Sequence, residues 1–169
     1  MKPSVVFTYG RFNPPHLGHK KMIQMIVDVA RAEKKKPVIV VSHSTGNAKN
    51  PLGVNDKLAI LRGWFPKVTF MHSAKNASIA TIANTFANNS IMIVGEDRKN
   101  SFGFLNFKKS SVARNNSAPS ATQARAAATR GNVATFKKLT GYNTPNILQK
   151  IQSVQSKPKS AAPKRKRVK

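Results

Sequence analysis

The sequence predicts an α/β fold built on a doubly wound parallel sheet. Three observations lead there. Four short runs, Val5–Thr8, Val38–Ser42, Val68–Met71 and Ile91–Val94, are almost continuously apolar, as strands buried on both faces are. Segments with helical spacing of apolar residues separate the runs. Polar segments follow the first, second and fourth runs: YGRFNPPHLGH, SHSTGNAKNPLG and GEDRKN. Sheets of this kind bind ligands outside the carboxyl ends of their strands. One site made from all three segments is therefore expected.

The elements follow in order. After the first strand and its turn, Met22, Ile23, Met25, Ile26, Val29 and Ala30 fall at helical spacing between Lys20 and Arg31. Behind the second strand, Asn55 or Asp56 is the expected cap of a helix with Leu58, Leu61, Trp64 and Phe65 on its apolar side. Ile79, Ile82, Ala83 and Phe86 suit a third helix. From Lys99 to Ala118 the pattern breaks, and a loop is expected. Pro119-Ser120 opens an alanine-rich helix, ATQARAAATR, stopped by Gly131. Asn132 is placed to cap VATFKKL, which ends before Gly141, and Thr144-Pro145 opens NILQKIQSV. Residues 1–155 form one domain in this reading. Residues 156–169, rich in Ser, Lys, Pro and Ala, form a disordered basic tail.

Composition narrows the function. The 169 residues contain no cysteine, so disulfides and thiolate metal sites are excluded. No run approaches the roughly 18 apolar residues of a membrane span, and the N-terminus lacks the apolar core of a signal peptide. A soluble intracellular protein is expected, with no membrane partner. Charge is the strongest compositional fact: 30 Lys+Arg against five Asp+Glu, a net +25. The last twenty residues hold eight of the bases, so the rest of the chain still carries +17. A body this basic repels itself unless a polyanion is near. Nucleic acid is the partner that charge favours; adaptation to an unusual ionic environment is the bland alternative.

The chemistry concentrates in YGRFNPPHLGHK, Tyr9 to Lys20. Gly10, where the first strand ends, has no side chain to keep a ligand from the backbone. Pro14 and Pro15 stiffen the turn. His16, Gly18 and His19 fall in the first turn of a helix, where free N–H groups and a partial positive charge favour phosphate. Histidines three apart share a face, and both rings can donate to phosphate oxygens. Gly18 leaves room between them. A proline turn with incidental histidines, or a two-histidine metal site, leaves the joint presence of these residues unexplained. Ser120 and Thr122 open a later helix with Arg125 one turn on. That is a second anion-binding helix start or an ordinary serine cap.

These residues carry a family resemblance. YGRFNPPHLGH resembles the HxGH signature of the cytidylyltransferase-like nucleotidyltransferases, SHSTGNAKNPLGVNDKLAILRGWFP and IMIVGEDR resemble segments of their short viral and phage members, and PSATQARAAATRGNVATFKKL resembles their second signature. The four motifs span most of residues 4–140 in the family's order. The resemblance implies a Rossmann-like (HUP-type) fold and transfer of a nucleoside monophosphate, AMP or CMP, from an NTP to a small phosphate-bearing acceptor such as nicotinamide mononucleotide. It implies His16, His19 and Arg125 as catalytic residues. Thr8, Tyr9, Gly10, Phe12, Gly18, Gly95, Asp97, Arg98, Ser120 and Thr122 would bind the nucleotide. Mg2+ would come with the triphosphate, through phosphate oxygens and water rather than a protein cage. Gln123 stands where short members often carry lysine, and Asn13 where many members carry aspartate.

The tail ends in PKRKRVK. Lys164, Arg165, Lys166, Arg167 and Lys169 resemble a nuclear import cluster or a polybasic grip on nucleic acid, which leaves nucleus and virion open as locations. Two functions stay in view: an active transferase, and a nucleic-acid-binding or virion-packaged protein on a retained, inactive fold. Nothing in the sequence decides between a monomer and a homo-oligomer.

Overall fold

The computed structural model describes residues 2–75, 77–95, 98, 100–112, 120–142 and 144–155. Its elements are β1 (Val5–Gly10), α1 (Leu17–Glu33), β2 (Lys36–Val41), α2 (Val54–Trp64), β3 (Thr69–His72), α3 (Ile79–Ala83), β4 (Ile91–Gly95), β5 (Lys108–Val112), α4 (Ala121–Thr129), α5 (Val133–Thr140) and α6 (Pro145–Gln155). The five strands form one sheet in the order β3-β2-β1-β4-β5. Every pairing is parallel, with Phe7 opposite Val38 on one side and Met92 on the other. The strand order reverses between β1 and β4, where doubly wound sheets open a crevice.

Side chains alternate along each strand, so the sheet divides its apolar residues between two cores. Val6, Ile39, Val41, Ile91 and Ile93 pack with Ile23, Ile26 and Ala30 of α1 and Leu58 and Leu61 of α2. Val5, Phe7, Val38, Val40, Met92 and Val94 pack on the opposite side with Ile79, Ala83 and Phe86. A third cluster joins Ala124, Ala127 and Ala128 of α4 to Phe136, Ile147, Leu148 and Ile151, and includes Leu52 from the loop after β2. Alanines let α4 lie close to its neighbours. Complete burial of each large apolar side chain contributes about 1.5–3 kcal/mol.

Two local expectations are corrected. The segment expected to be a loop contains β5, which pairs with β4 from Ile91–Lys108 to Gly95–Val112. KKSSV has no buried apolar face to announce a strand. It is an edge strand, held by its ladder and tolerant of polar residues. Phe102 and Leu105, just before it, are buried in the second core. The cap of α2 is Gly53, which makes no side-chain bond, rather than Asn55 or Asp56. Asp56 instead accepts an ion pair from Lys150 of α6 at 2.8 Å. The caps at Ser120 and Asn132 form as expected, each side chain accepting a backbone N–H. No helix among the described residues is long and apolar enough to cross a membrane. Asp97 and the tail residues Lys164, Arg165, Lys166, Arg167 and Lys169 lie outside the described residues.

Candidate active site

At the end of β1 the chain turns over its own aromatic ring. Phe12 adopts a left-handed conformation, φ +50°, after Gly10 and Arg11. Its ring is buried and fills the space beside Gly10. A Cβ placed there would meet the ring at 3.0 Å. The glycine therefore makes room for Phe12. Asn13 is buried beyond it. Its side chain donates to Leu52 O at 2.9 Å and accepts from Leu52 N at 2.7 Å. It also reaches Ser44 O at 3.3 Å. One amide thereby fastens the loop after β2 to the turn.

His16 caps α1. Its Nδ1 accepts from Gly18 N at 3.0 Å, and His19 Nδ1 accepts from His16 N at 3.1 Å. This is a capping box made by two imidazoles. The rings stack at 3.7 Å, 29° between planes, and Phe12 lies against His19 at 4.6 Å. An Nδ1 that accepts a backbone N–H carries no proton, so each neutral ring holds its proton on Nε2. The cap fixes the tautomer and makes both Nε2 atoms donors. Gly18 contributes its N–H to this cap and is not part of the cavity wall.

Helix α4 brings the second half. Ser120 Oγ accepts from Gln123 N at 3.1 Å. Arg125 donates from one terminal nitrogen to Asn13 O at 2.9 Å and from the other to Thr122 Oγ1 at 3.3 Å. Tyr142 donates to Pro15 O at 2.7 Å, directly before His16. Burial pushes the Tyr142 phenol well above its usual range, so it remains a donor. Two bonds, spanning 112 and 127 residues of sequence, hold the histidine turn against the C-terminal helices.

A cavity of about 320 Å³ opens between these parts. Thr8, Tyr9, Gly10, Phe12, His16 and His19 line it from the β1 side, Gly95 and Arg98 from the β4 side, and Ser120, Thr122 and Arg125 from α4. Eleven of the thirteen expected site residues thus share one space. The Thr8 hydroxyl donates its proton to Ile93 O at 2.6 Å.

Sequence reading missed Arg11 and Lys49, which also line the cavity, and the buried Asn13 and Phe102. Arg11 adjoins Gly10 in the turn itself, and Lys49 lies in the loop already expected at the site. With Arg98 and Arg125 they set four cations around one cavity, and no carboxylate lines it among the described residues. Burial, with Arg11 adding repulsion, lowers the Arg125 guanidinium from its ordinary value. The same two causes bring the buried Lys57 ammonium down to about 8. Lys57 donates to Ser42 O at 2.8 Å and Ser44 O at 3.2 Å, steadying the loop after β2. An anion in the cavity would relieve this crowding of positive charge.

Tyr9 also lines a second cavity, of about 430 Å³, at the ends of β2 and β3 with His43, Ser44, Thr45, Ser73 and Lys75. Asn50 borders it. Asn47 Oδ1 accepts from two backbone N–H groups and from Asn50 Nδ2. The atom of Asn50 turned the other way is therefore its oxygen, which is buried and finds no hydrogen-bond partner among the described residues. Among the described residues no three His, Cys, Asp or Glu side chains gather as metal ligands.

A model of the cytidylyltransferase-like family matches residues 7–118, two thirds of the chain. No curated protein matches the sequence. Among solved structures, the fold is similar to that of a macrolide-efflux protein from Streptococcus pneumoniae, at 17% identity and TM-score 0.63 over 85% of this chain and 66% of that one. It is also similar to a bifunctional NMN adenylyltransferase/ADP ribose pyrophosphatase from Francisella tularensis. One structure of it, complexed with AMP and Mn ion, gives 17% identity and TM-score 0.62 over 89% of this chain and 52% of that one. A second gives 19% and 0.62 over 89% and 53%. These likenesses concern the fold, and the chain spans half to two thirds of the lengths of the structures it matches. The family match runs from β1 to just short of Ser120, and bonds from Arg125 and Tyr142 join the remaining helices to it: the chain belongs to the cytidylyltransferase-like family.

Proposed function

We propose that the protein is a nucleotidyltransferase that moves AMP or CMP from an NTP onto a small phosphate-bearing acceptor, nicotinamide mononucleotide being one such acceptor. One observation carries the reading: two imidazoles with fixed Nε2 donors, a serine-capped helix start and four cations surround one cavity. An acceptor phosphate oxygen attacks the α-phosphorus. The bond from that phosphorus to the oxygen of the β-phosphate breaks, and pyrophosphate leaves. No covalent enzyme intermediate is needed, so positioning and charge stabilisation supply the catalysis.

His16 and His19 donate to the α-phosphate oxygens, where charge builds in the transition state. Arg125, the start of α4 and Thr122 hold the β- and γ-phosphates. Arg11 and Lys49 add positive charge, and Gly95 and Arg98 border the nucleoside end. The second cavity, sharing Tyr9 with the first, receives the acceptor, with Lys75 placed for its phosphate. A divalent cation bound to the triphosphate would neutralise phosphate charge; the Francisella tularensis structure with AMP and Mn ion supports metal use of that kind.

The test is pyrophosphate release from ATP, CTP, GTP and UTP with a panel of phosphorylated acceptors. Acceptor-dependent release with one NTP is expected. The alternative reading, an inactive fold that binds nucleic acid, draws support from charge outside the cleft. It would gain if NTP bound and no acceptor gave release.

A further inference from the structure

Every strand of a parallel sheet starts at the same edge, and here four of the five start beside a lysine. Lys2 precedes β1, Lys36 opens β2, Lys67 precedes β3 and Lys108 opens β5. Lys34, the left-handed cap of α1, and Arg31 in its last turn stand at the same end. All six are exposed. Hydrogen bonds fix the positions of the strand starts: Lys36 N donates to Ser4 O, and Ala87 N to Pro3 O. Two further lysines are turned aside, Lys35 onto Ser4 Oγ and Lys109 onto the carbonyls of Leu105 and Phe107. Glu33 is the acid adjoining the band in sequence, and it forms no ion pair among the described residues.

Ordinary structural roles cover only part of this. The α1 dipole favours Arg31 and Lys34. Protection of an edge strand explains Lys67 and Lys108. Neither explains Lys2, three residues before the central strand β1, or Lys36, which opens its inner neighbour β2, since strand starts offer no such dipole. Strands about 4.8 Å apart are closer than the roughly 8 Å screening length at physiological salt. The charges therefore repel one another until a polyanion lies across them.

We infer that this lysine-lined edge of the sheet is a docking surface for the phosphate backbone of nucleic acid, without regard to base sequence. Five strands at that spacing make a row about 19 Å long, enough to face several phosphates at 3.4 Å per strand of a duplex. The large exposed apolar residues Phe104 and Val133 lie in the turn before β5 and at the start of α5, not at the strand starts. Among the described residues, the band thus shows none of the large exposed apolar anchors that a membrane surface would use. It lies at the far end of β1 from the histidines, roughly 20 Å away at 3.3 Å per residue. It would serve whether or not the cleft transfers nucleotides.

The test compares full-length chains by fluorescence anisotropy with a labelled 20-base-pair duplex from 50 to 200 mM salt. One variant carries Lys2→Gln, Lys34→Gln, Lys36→Gln, Lys67→Gln and Lys108→Gln. A control of equal charge carries Lys21→Gln, Arg130→Gln, Lys137→Gln, Lys138→Gln and Lys150→Gln, away from the strand starts. A third variant has arginine at the five band positions and checks that affinity follows charge. The band variant should lose more than ten-fold in affinity, with a salt slope shallower by up to about 4.5, at 0.9 per phosphate contact. The control should lose less than three-fold, the arginine variant should bind like the parent, and NTP binding should be unchanged in all. Equal losses in band and control variants, no duplex binding by the parent, or tighter binding to phosphatidylserine vesicles than to duplex would overturn the inference. An absence of transferase activity would leave these affinities as they are.

Discussion

At the scale of the residue, the turn after β1 is governed by what its side chains do to the backbone. Gly10→Ala would press a methyl onto the Phe12 ring at 3.0 Å and disturb the ring that supports His19. A loss of about 1–3 kcal/mol is expected, read as a lower urea midpoint; unchanged stability would mean that Phe12 yields freely. Lys57 gives a pH test. Its ammonium titrates near 8 in the folded chain and near 10.5 unfolded. Between those values the unfolded state binds more protons, so stability should rise with pH. Measured against Lys57→Met, the native chain should gain up to about 3 kcal/mol between pH 7 and 11. A constant difference across that range would contradict the burial of a charged lysine. The histidine pair was legible in the sequence because it opens a helix after a buried strand. The capping box was not, since histidine is an unusual cap and only geometry shows its Nδ1 atoms accepting. Gly10 was legible as a site position, but the Phe12 ring packed against it was not.

At the scale of the element, strands and helices whose apolar residues follow a period were all legible: β1 to β4, α1 to α6. β5 was not, because an edge strand needs only backbone partners, and Lys108 to Ser111 show no apolar residue in the sequence. Arg11 and Lys49 escaped because a basic residue in so basic a chain carries little information until neighbours are known. The two bonds that tie the C-terminal helices to the turn were equally invisible, since each joins residues more than a hundred positions apart. They can be tested as a pair. Tyr142→Phe leaves Pro15 O without its donor and should lower stability by about 1–2 kcal/mol. Arg125→Lys keeps the charge but loses the fork onto Asn13 O and Thr122. It should reduce turnover at least ten-fold, with NTP affinity falling as well. Full activity in Arg125→Lys would remove the guanidinium from the phosphate site.

At the scale of the whole molecule, charge and site serve different ends of the sheet. The carboxyl edge gathers histidines and a few cations around a cavity. The opposite edge gathers lysines around nothing in the chain itself. With a net +25, self-repulsion should depress stability at low ionic strength. The melting temperature should therefore rise between 10 and 150 mM salt, and a flat profile would mean that the charges are too dispersed to matter. The proposed chemistry of the cleft is tested most directly by acceptor-dependent pyrophosphate release from the parent chain and from His16→Asn at saturating NTP. Asparagine keeps a good helix cap but removes the imidazole donor. Release should fall 10²–10³-fold, the range for removing one transition-state donor, while the melting temperature and NTP affinity stay near those of the parent. Release that persists undiminished in His16→Asn, or a parent that binds NTP and releases nothing with any acceptor, would contradict it.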